Sequence, residues 1–156
     1  MYSKKLSPIL FSDGGRAVDE RFRAAVVAAW QVRTGAADIN ATPADEEELR
    51  AFEAEFGPIP ADFRWFLVAC GGGPVGCEWV DNIRELSATH RKFRAESGRG
   101  GWTLADVFVI GWDGAGNPYG IHTPSGRVLV EDHNFGGIHE MAPSFAAFLG
   151  KGLSIH

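Results

Sequence analysis

Before Trp102 the apolar positions of this chain recur at three- and four-residue intervals; from Trp102 onward they fall into short runs separated by turn dipeptides. The first period predicts helices. After Asp13-Gly14-Gly15, the segment from Ala17 to Thr34 sets Val18, Phe22, Ala25, Val26, Ala29 and Trp30 on one helical face, and Gly35 ends it. Thr42 reads as an N-cap with Pro43 at the first helical position, and Leu49, Phe52 and Phe56 then form an apolar stripe until Gly57-Pro58 stops the helix. Pro60-Ala61-Asp62 opens a third helix with Phe63, Phe66, Leu67 and Cys70 inward, ended by Gly71-Gly72-Gly73-Pro74, so that two short helices pack as a hairpin. Val75 to Val80 fits a strand. Asp81-Asn82 then caps a fourth helix carrying Ile83, Leu86, His90 and Phe93 toward the core.

The second period predicts strands. They run from Leu104 to Trp112, Tyr119 to Thr123 and Arg127 to Asp132, with turns at Asp113-Gly114, Gly116-Asn117-Pro118 and Pro124-Ser125-Gly126. Ser144 caps a last helix with Phe145, Phe148 and Leu149 inward and Gly150 closing it. Helices first, then a meander, then one closing helix imply an α+β fold: an antiparallel β-meander sheet with helices packed on one face, leaving the other face, or the groove between sheet and loops, available.

Composition narrows the class. With 156 residues, 45% hydrophobic and 22% charged, the chain has the size of one domain and the make-up of a globular protein, which sets aside disorder and coiled coils. Its longest apolar run, Phe63 to Gly72, contains Arg64 and is far shorter than the about 20 residues that cross a bilayer. Met1 to Phe11 lacks the continuous apolar stretch of a secretory signal, so a cytoplasmic location with no membrane is expected. Cys70 and Cys77, the only cysteines, read as buried small hydrophobes and fit no zinc spacing. The net charge of −5 argues against nucleic acid and for a neutral or basic partner.

One stretch resembles a known family. Leu49-x-x-Phe52-x-x-x-Phe56-Gly57-x-Ile59-Pro60-x-Asp62-Phe63-x-x-Phe66-Leu67, followed by Gly71-Gly72-Gly73, resembles the opening motif of the SUKH superfamily, named partly after a fungal cell-wall synthesis regulator. Phe108-Val109-Ile110-Gly111-Trp112-Asp113-Gly114-x-Gly116 resembles that family's strand leading into a glycine turn, and Val128 to Asp132 with His133, then Ser144-Phe145-x-x-Phe148-Leu149, its last strand and closing helix. The resemblance spans about residues 42 to 150 and leaves residues 1–41 outside it as a helical extension. It implies a compact α+β domain with an antiparallel sheet. It also implies, for bacterial members, immunity by binding and blocking a polymorphic protein toxin, often a nuclease or deaminase, and for fungal members a regulatory scaffold.

Catalytic signatures are weak beside this. His122, His133 and His139 with Asp132 and Glu140 are the best metal-like grouping, yet no two of the histidines share the i, i+4 spacing of a helical site, and a chance grouping is the preferred reading. Asp113-x-x-Gly116-Asn117 lacks the alternating oxygen ligands of a calcium loop, and Gly71 to Gly73 follows a helix with no lysine beside it, unlike a phosphate loop. No cofactor or metal is expected. The acidic run Asp45 to Glu48 is read as a solvated first turn, and Trp79, Trp102 and Trp112 as core or interface in equal measure. Tryptophans beside carboxylates have the anchor-plus-charge composition of interfaces, so the expected partner-binding residues are Glu78, Trp79, Asp81, Trp112, Asp113, Asn117, His133 and Asn134, at strand ends and turns on the exposed edge of the sheet. The function expected is a cytoplasmic immunity protein that occludes the active site of a cognate toxin, with a basic nuclease or deaminase as the candidate. The alternatives are a regulatory scaffold for host proteins or peptides and, behind it, a small hydrolase using the histidines.

Overall fold

The computed structural model describes residues 19–156; the expectations for Met1 to Phe11, for Asp13-Gly14-Gly15, and for Ala17 and Val18 lie outside the described residues. The first helix, α1 (Glu20–Ala36), starts after Asp19, whose carboxylate accepts the Phe22 N–H at 2.7 Å, and runs through Gly35 instead of stopping there. It buries Val26 and Trp30, and the Trp30 ring meets Phe66 edge-on at 5.3 Å, so α1 contributes to the same core as the rest of the fold.

α2 (Glu46–Phe56) begins three residues later than an N-cap at Thr42 would place it. Asp45 is the cap: its carboxylate accepts the Glu48 N–H at 2.8 Å and Glu48 reaches back to the Asp45 N–H at 3.2 Å. This reciprocal pair satisfies two orphan helix donors, which Thr42-Pro43 could not do. α3 (Ala61–Ala69) buries Phe63, Phe66 and Leu67 as expected. The α2–α3 pair is tied by Arg64, which donates to Glu46 at 2.7 Å and Glu53 at 3.1 Å, while α2 also packs against α4 and α3 against α5.

The glycine run after α3 does more than end a helix. Gly71 and Gly72 have φ of 94° and 124°, and a Cβ on either would lie 2.5 Å from the Thr42 carbonyl oxygen or 2.7 Å from the Asn82 backbone. Three chain segments therefore meet here backbone to backbone, an approach only glycine permits. Beyond the run the chain forms a two-stranded hairpin, β1 (Gly73–Val75) and β2 (Glu78–Val80), in place of the single strand expected over Val75 to Val80; Gly76-Cys77 form its turn. The turn exposes Cys77, correcting the expectation that both cysteines are buried, whereas Cys70 is in the core, where burial pushes its thiol up to about 12.

Asn82 caps α4 (Ile83–Gly98) through a second capping box, with Glu85. Then β3 (Val107–Trp112), β4 (Pro118–His122), β5 (Val128–Glu131) and β6 (Ile138–Ala142) form an antiparallel sheet in sequence order. The strand β6 had no counterpart among the expected strands, because Ile138-His139-Glu140 is exposed and carries no alternating apolar pattern. α5 (Phe145–Gly152) starts at the expected Ser144 cap and continues past Gly150.

Across the sheet Phe108, Ile121, Val128 and Ala142 stand in register and are all buried in the core with the helices. Glu131, on β5, alternates to the opposite face yet is buried, because the connector between α4 and β3 folds over it. Its carboxylate accepts the N–H groups of Thr103 and Leu104, both at 2.8 Å, and the Thr103 hydroxyl at 3.0 Å. Part of the face expected to be open is thus covered. The β1–β2 hairpin docks at the β3 edge, where the Asp81 N–H donates to the Ile110 carbonyl at 2.8 Å and the Tyr119 hydroxyl donates to the Trp79 carbonyl.

Candidate functional site

Among the described residues, three tryptophans donate their indole N–H to side chains of one helix. Trp79 on β2 donates to Glu85 at 3.1 Å, Trp112 at the end of β3 to the Thr89 hydroxyl at 3.1 Å, and Trp102 in the connector to Glu96 at 2.6 Å. On α4 these acceptors, with Lys92, fall at i, i+4, i+7 and i+11, one helical face adjoining the core face of Ile83, Leu86 and His90. Lys92 lies over the Trp112 ring at 4.2 Å, a cation–π contact, and the Trp102 and Trp112 rings sit 6.2 Å apart. The result is an aromatic strip laid along α4. The sequence pattern reads Trp102 as core or interface and leaves it out of the site residues; the polar repeat Glu85, Thr89, Lys92, Glu96 is the signal that points to it.

At one end of the strip the charge is negative. Trp79 is 44% exposed. Around it lie Glu78, Asp81, Glu85 and Asp113, and none of these four forms an ion pair among the described residues. Burial, with the Asp113 charge added, raises the Glu78 pKa. Burial raises Asp81 to about 7, the Glu85 charge adding to it and the Thr89 hydroxyl bond opposing it.

The expected site residues divide by exposure. Asp81 and Asn117 are 5% and 2% exposed and do not lie on an exposed edge: Asp81 is held between β3 and Thr89, and Asn117 closes the β3–β4 turn. The Asn117 amide donates to Asp113 at 3.0 Å, and its carbonyl accepts the His133 N–H at 2.9 Å and the His133 ring Nδ1–H, so one buried side chain joins the β3–β4 turn to the β5–β6 hairpin. Asp113 accepts the Ala115 and Asn117 N–H groups, at 2.9 and 2.8 Å, as an Asx-type turn. Trp112 and Glu78 are half-buried, while His133 and Asn134 are exposed. Beyond them stands Phe135, 91% exposed at the hairpin tip, which sequence patterning missed because a lone aromatic between polar and glycine residues has no periodic signal.

The three histidines do not converge on one point, although His133 and His139 both lie near Asp132, whose pKa is lowered first by the Phe135 and Asn134 N–H bonds and then by the charges of these two histidines. His122 lies at the far end of β4 from Asn117 and bonds Ser125 at 2.7 Å, and His139 faces the Gly136 carbonyl at 3.2 Å. Among the described residues no three His, Cys, Asp or Glu side chains are placed to hold a metal ion. No helix among them is long and apolar enough to cross a membrane.

With this architecture in place, comparison with known families is decisive: the sequence model of the SMI1 / KNR4 family (SUKH-1) matches residues 43–151. The chain belongs to the SMI1 / KNR4 family (SUKH-1). No curated protein matches it. The matched SUKH-1 region takes in α2 through nearly all of α5, and with them the hairpin and the aromatic strip, while α1 precedes it. The SUKH-1 family includes toxin-immunity proteins.

Proposed function

We propose that this SUKH-1 protein is an immunity protein that acts by binding, not catalysis: it forms a stoichiometric complex in the cytoplasm with a cognate protein toxin and covers that toxin's active site. The observation that carries the reading is the acidic end of the strip, where exposed Trp79 is ringed by Glu78, Glu85 and Asp113 without an internal cation among the described residues. Burial, with the Asp113 charge added, raises the Glu78 pKa, marking an unfavourable charge that a basic partner relieves. An exposed tryptophan among them supplies the large, rigid contact that interfaces concentrate their energy on.

Asp81 and Asn117 serve this surface by positioning. Asp81 fixes Thr89, the acceptor for Trp112, and Asn117 holds the two hairpin tips together. Trp79, Glu78, Trp112, Asp113, His133 and Asn134 are the residues offered to the partner, joined by Phe135.

The test is co-expression with the product of the adjacent gene. Co-purification at fixed stoichiometry together with rescue from that product's toxicity is expected. Absence of both complex and rescue overturns the reading, and complex formation with a non-toxic protein transfers it to the regulatory-scaffold class. For a basic toxin the association rate falls as salt rises, since rim charges steer the encounter.

A further inference from the structure

At the opposite end of the strip the charge reverses. Lys92, Glu96, Arg99, Trp102, Gly116 and His133 line an open groove of about 440 Å³. Both cations are exposed, and neither forms an ion pair among the described residues. Lys92 and Glu96 are one helical turn apart and could pair, yet Glu96 is engaged by the Trp102 indole and Lys92 leans on the Trp112 ring. Among the described residues the Arg99 guanidinium has a single bond, from its Nε to the Ala95 carbonyl at 3.3 Å, which leaves the rest of its fork of donors open to a partner.

We infer that this groove is a carboxylate-binding subsite, taking an Asp or Glu side chain from an acidic segment of the protein partner that docks on the strip. The inference rests on the reading of the strip as a partner surface and deepens it: the partner carries basic groups for the Trp79 end and an acidic group for the Trp102 end. Charge complementarity selects the occupant. A planar carboxylate matches the open guanidinium fork of Arg99, with the Lys92 ammonium lining the same groove and a Trp102 wall that takes an adjoining methylene. A polyanion is a poor occupant, because Glu96 lines the groove beside the two cations and the chain carries a net charge of −5, so that repulsion grows with each added negative charge. A two-signed surface also fixes the direction in which the partner lies along the strip, since reversing it sets like charges together.

The test uses the full chain and needs no cognate partner. The ¹⁵N-labelled protein is titrated with an acetylated Asp-Leu-Glu-Leu-Asp amide, with the same peptide carrying Asn and Gln in place of its acids, with inorganic phosphate and with oligothymidylate. A saturable shift of the Trp102 and Trp112 indole N–H resonances, with Trp79 unmoved, is expected from the acidic peptide alone. The exposed pair Lys92→Gln and Arg99→Gln should raise its Kd about tenfold or more, while the thermal midpoint falls by only the few degrees, roughly, that loss of one exposed cation–π contact implies. Equal shifts from the neutral peptide, tighter saturation by phosphate or oligothymidylate, or an unchanged Kd in the double variant overturns the subsite. A negative titration beside a positive rescue assay removes only the subsite, and the converse removes only the immunity reading.

Discussion

The indole N–H of Trp79 donates to the Glu85 carboxylate at 3.1 Å, through the same oxygen that accepts the Asn82 N–H in the cap of α4. One carboxylate therefore both starts a helix and orients an exposed tryptophan. The ring is pre-set before any partner arrives, which limits the rotamer entropy lost on binding.

Trp79→Ala should weaken the complex with the cognate partner by at least about 30-fold, the roughly 2 kcal/mol threshold of an interface hot spot. Because the ring is half in solvent, stability should change by no more than about 1 kcal/mol. Titration calorimetry beside chemical denaturation separates the two, and Trp79→Phe should recover part of the affinity. Unchanged affinity in the alanine variant would move the interface elsewhere.

Asp81 gives the stability curve a pH dependence of defined sign. Its folded pKa of about 7 lies above the ordinary carboxylate value of 3.8, so between these pH values the folded state holds a proton that the unfolded chain releases. Stability from this group is complete at low pH and is lost as pH rises toward 7. Asp81→Asn keeps an acceptor for Thr89 and removes the titration. The difference in unfolding free energy between wild type and variant should therefore drift in the variant's favour from pH 4 to 7, by a few kcal/mol on the order of what such a shift implies. Buried His90, whose pKa burial lowers, acts with the opposite sign but is common to both proteins and cancels. A flat difference would refute the assignment.

Glu131→Ala should destabilise the fold by about 3 kcal/mol, since the N–H groups of Thr103 and Leu104 lose their shared acceptor. The connector it anchors carries Trp102, so the Trp102 indole resonance should broaden or shift in the same variant. Glu131→Gln, retaining one acceptor oxygen, should lie between.

Gly120→Ala probes the sheet. A Cβ there would fall 2.1 Å from the Phe108 carbonyl oxygen and 2.7 Å from the Val109 Cα, across the β3–β4 pair where the register shifts. Neither atom is the tip of a flexible side chain, so the strands must part, at a cost of about 3 kcal/mol. Denaturant midpoints of the two proteins measure it; a loss under about 1 kcal/mol would mean that the strands adjust freely.

Much of this fold was legible in the sequence because it arises from local periodicity. The stripes Leu49-Phe52, Phe63-Phe66-Leu67 and Ile83-Leu86-His90, the caps at Asn82 and Ser144, and the three apolar strands stand where spacing and side-chain chemistry put them, except that β3 begins at Val107 and not Leu104, whose N–H goes to Glu131. So did the α+β order and the resemblance that the SUKH-1 match carries. Spacing could not decide events that depend on distant partners. The edge strand β6 forms on the backbone of β5 and not from its own pattern, and the split of Val75 to Val80 into a hairpin is due to the turn at Gly76 and docking on β3. At the site the sequence marked tryptophans beside carboxylates but could not assign depth. Asp81 and Asn117 are as polar as Asp113 and Asn134, and only tertiary packing buries the first two. The convergence of Trp79, Trp112 and Trp102 on one face of α4 joins residues from three segments, and with it the inversion of charge along the strip. Periodicity reports which side of an element is apolar; which residues of separate elements meet is set by the closure of the chain on its core.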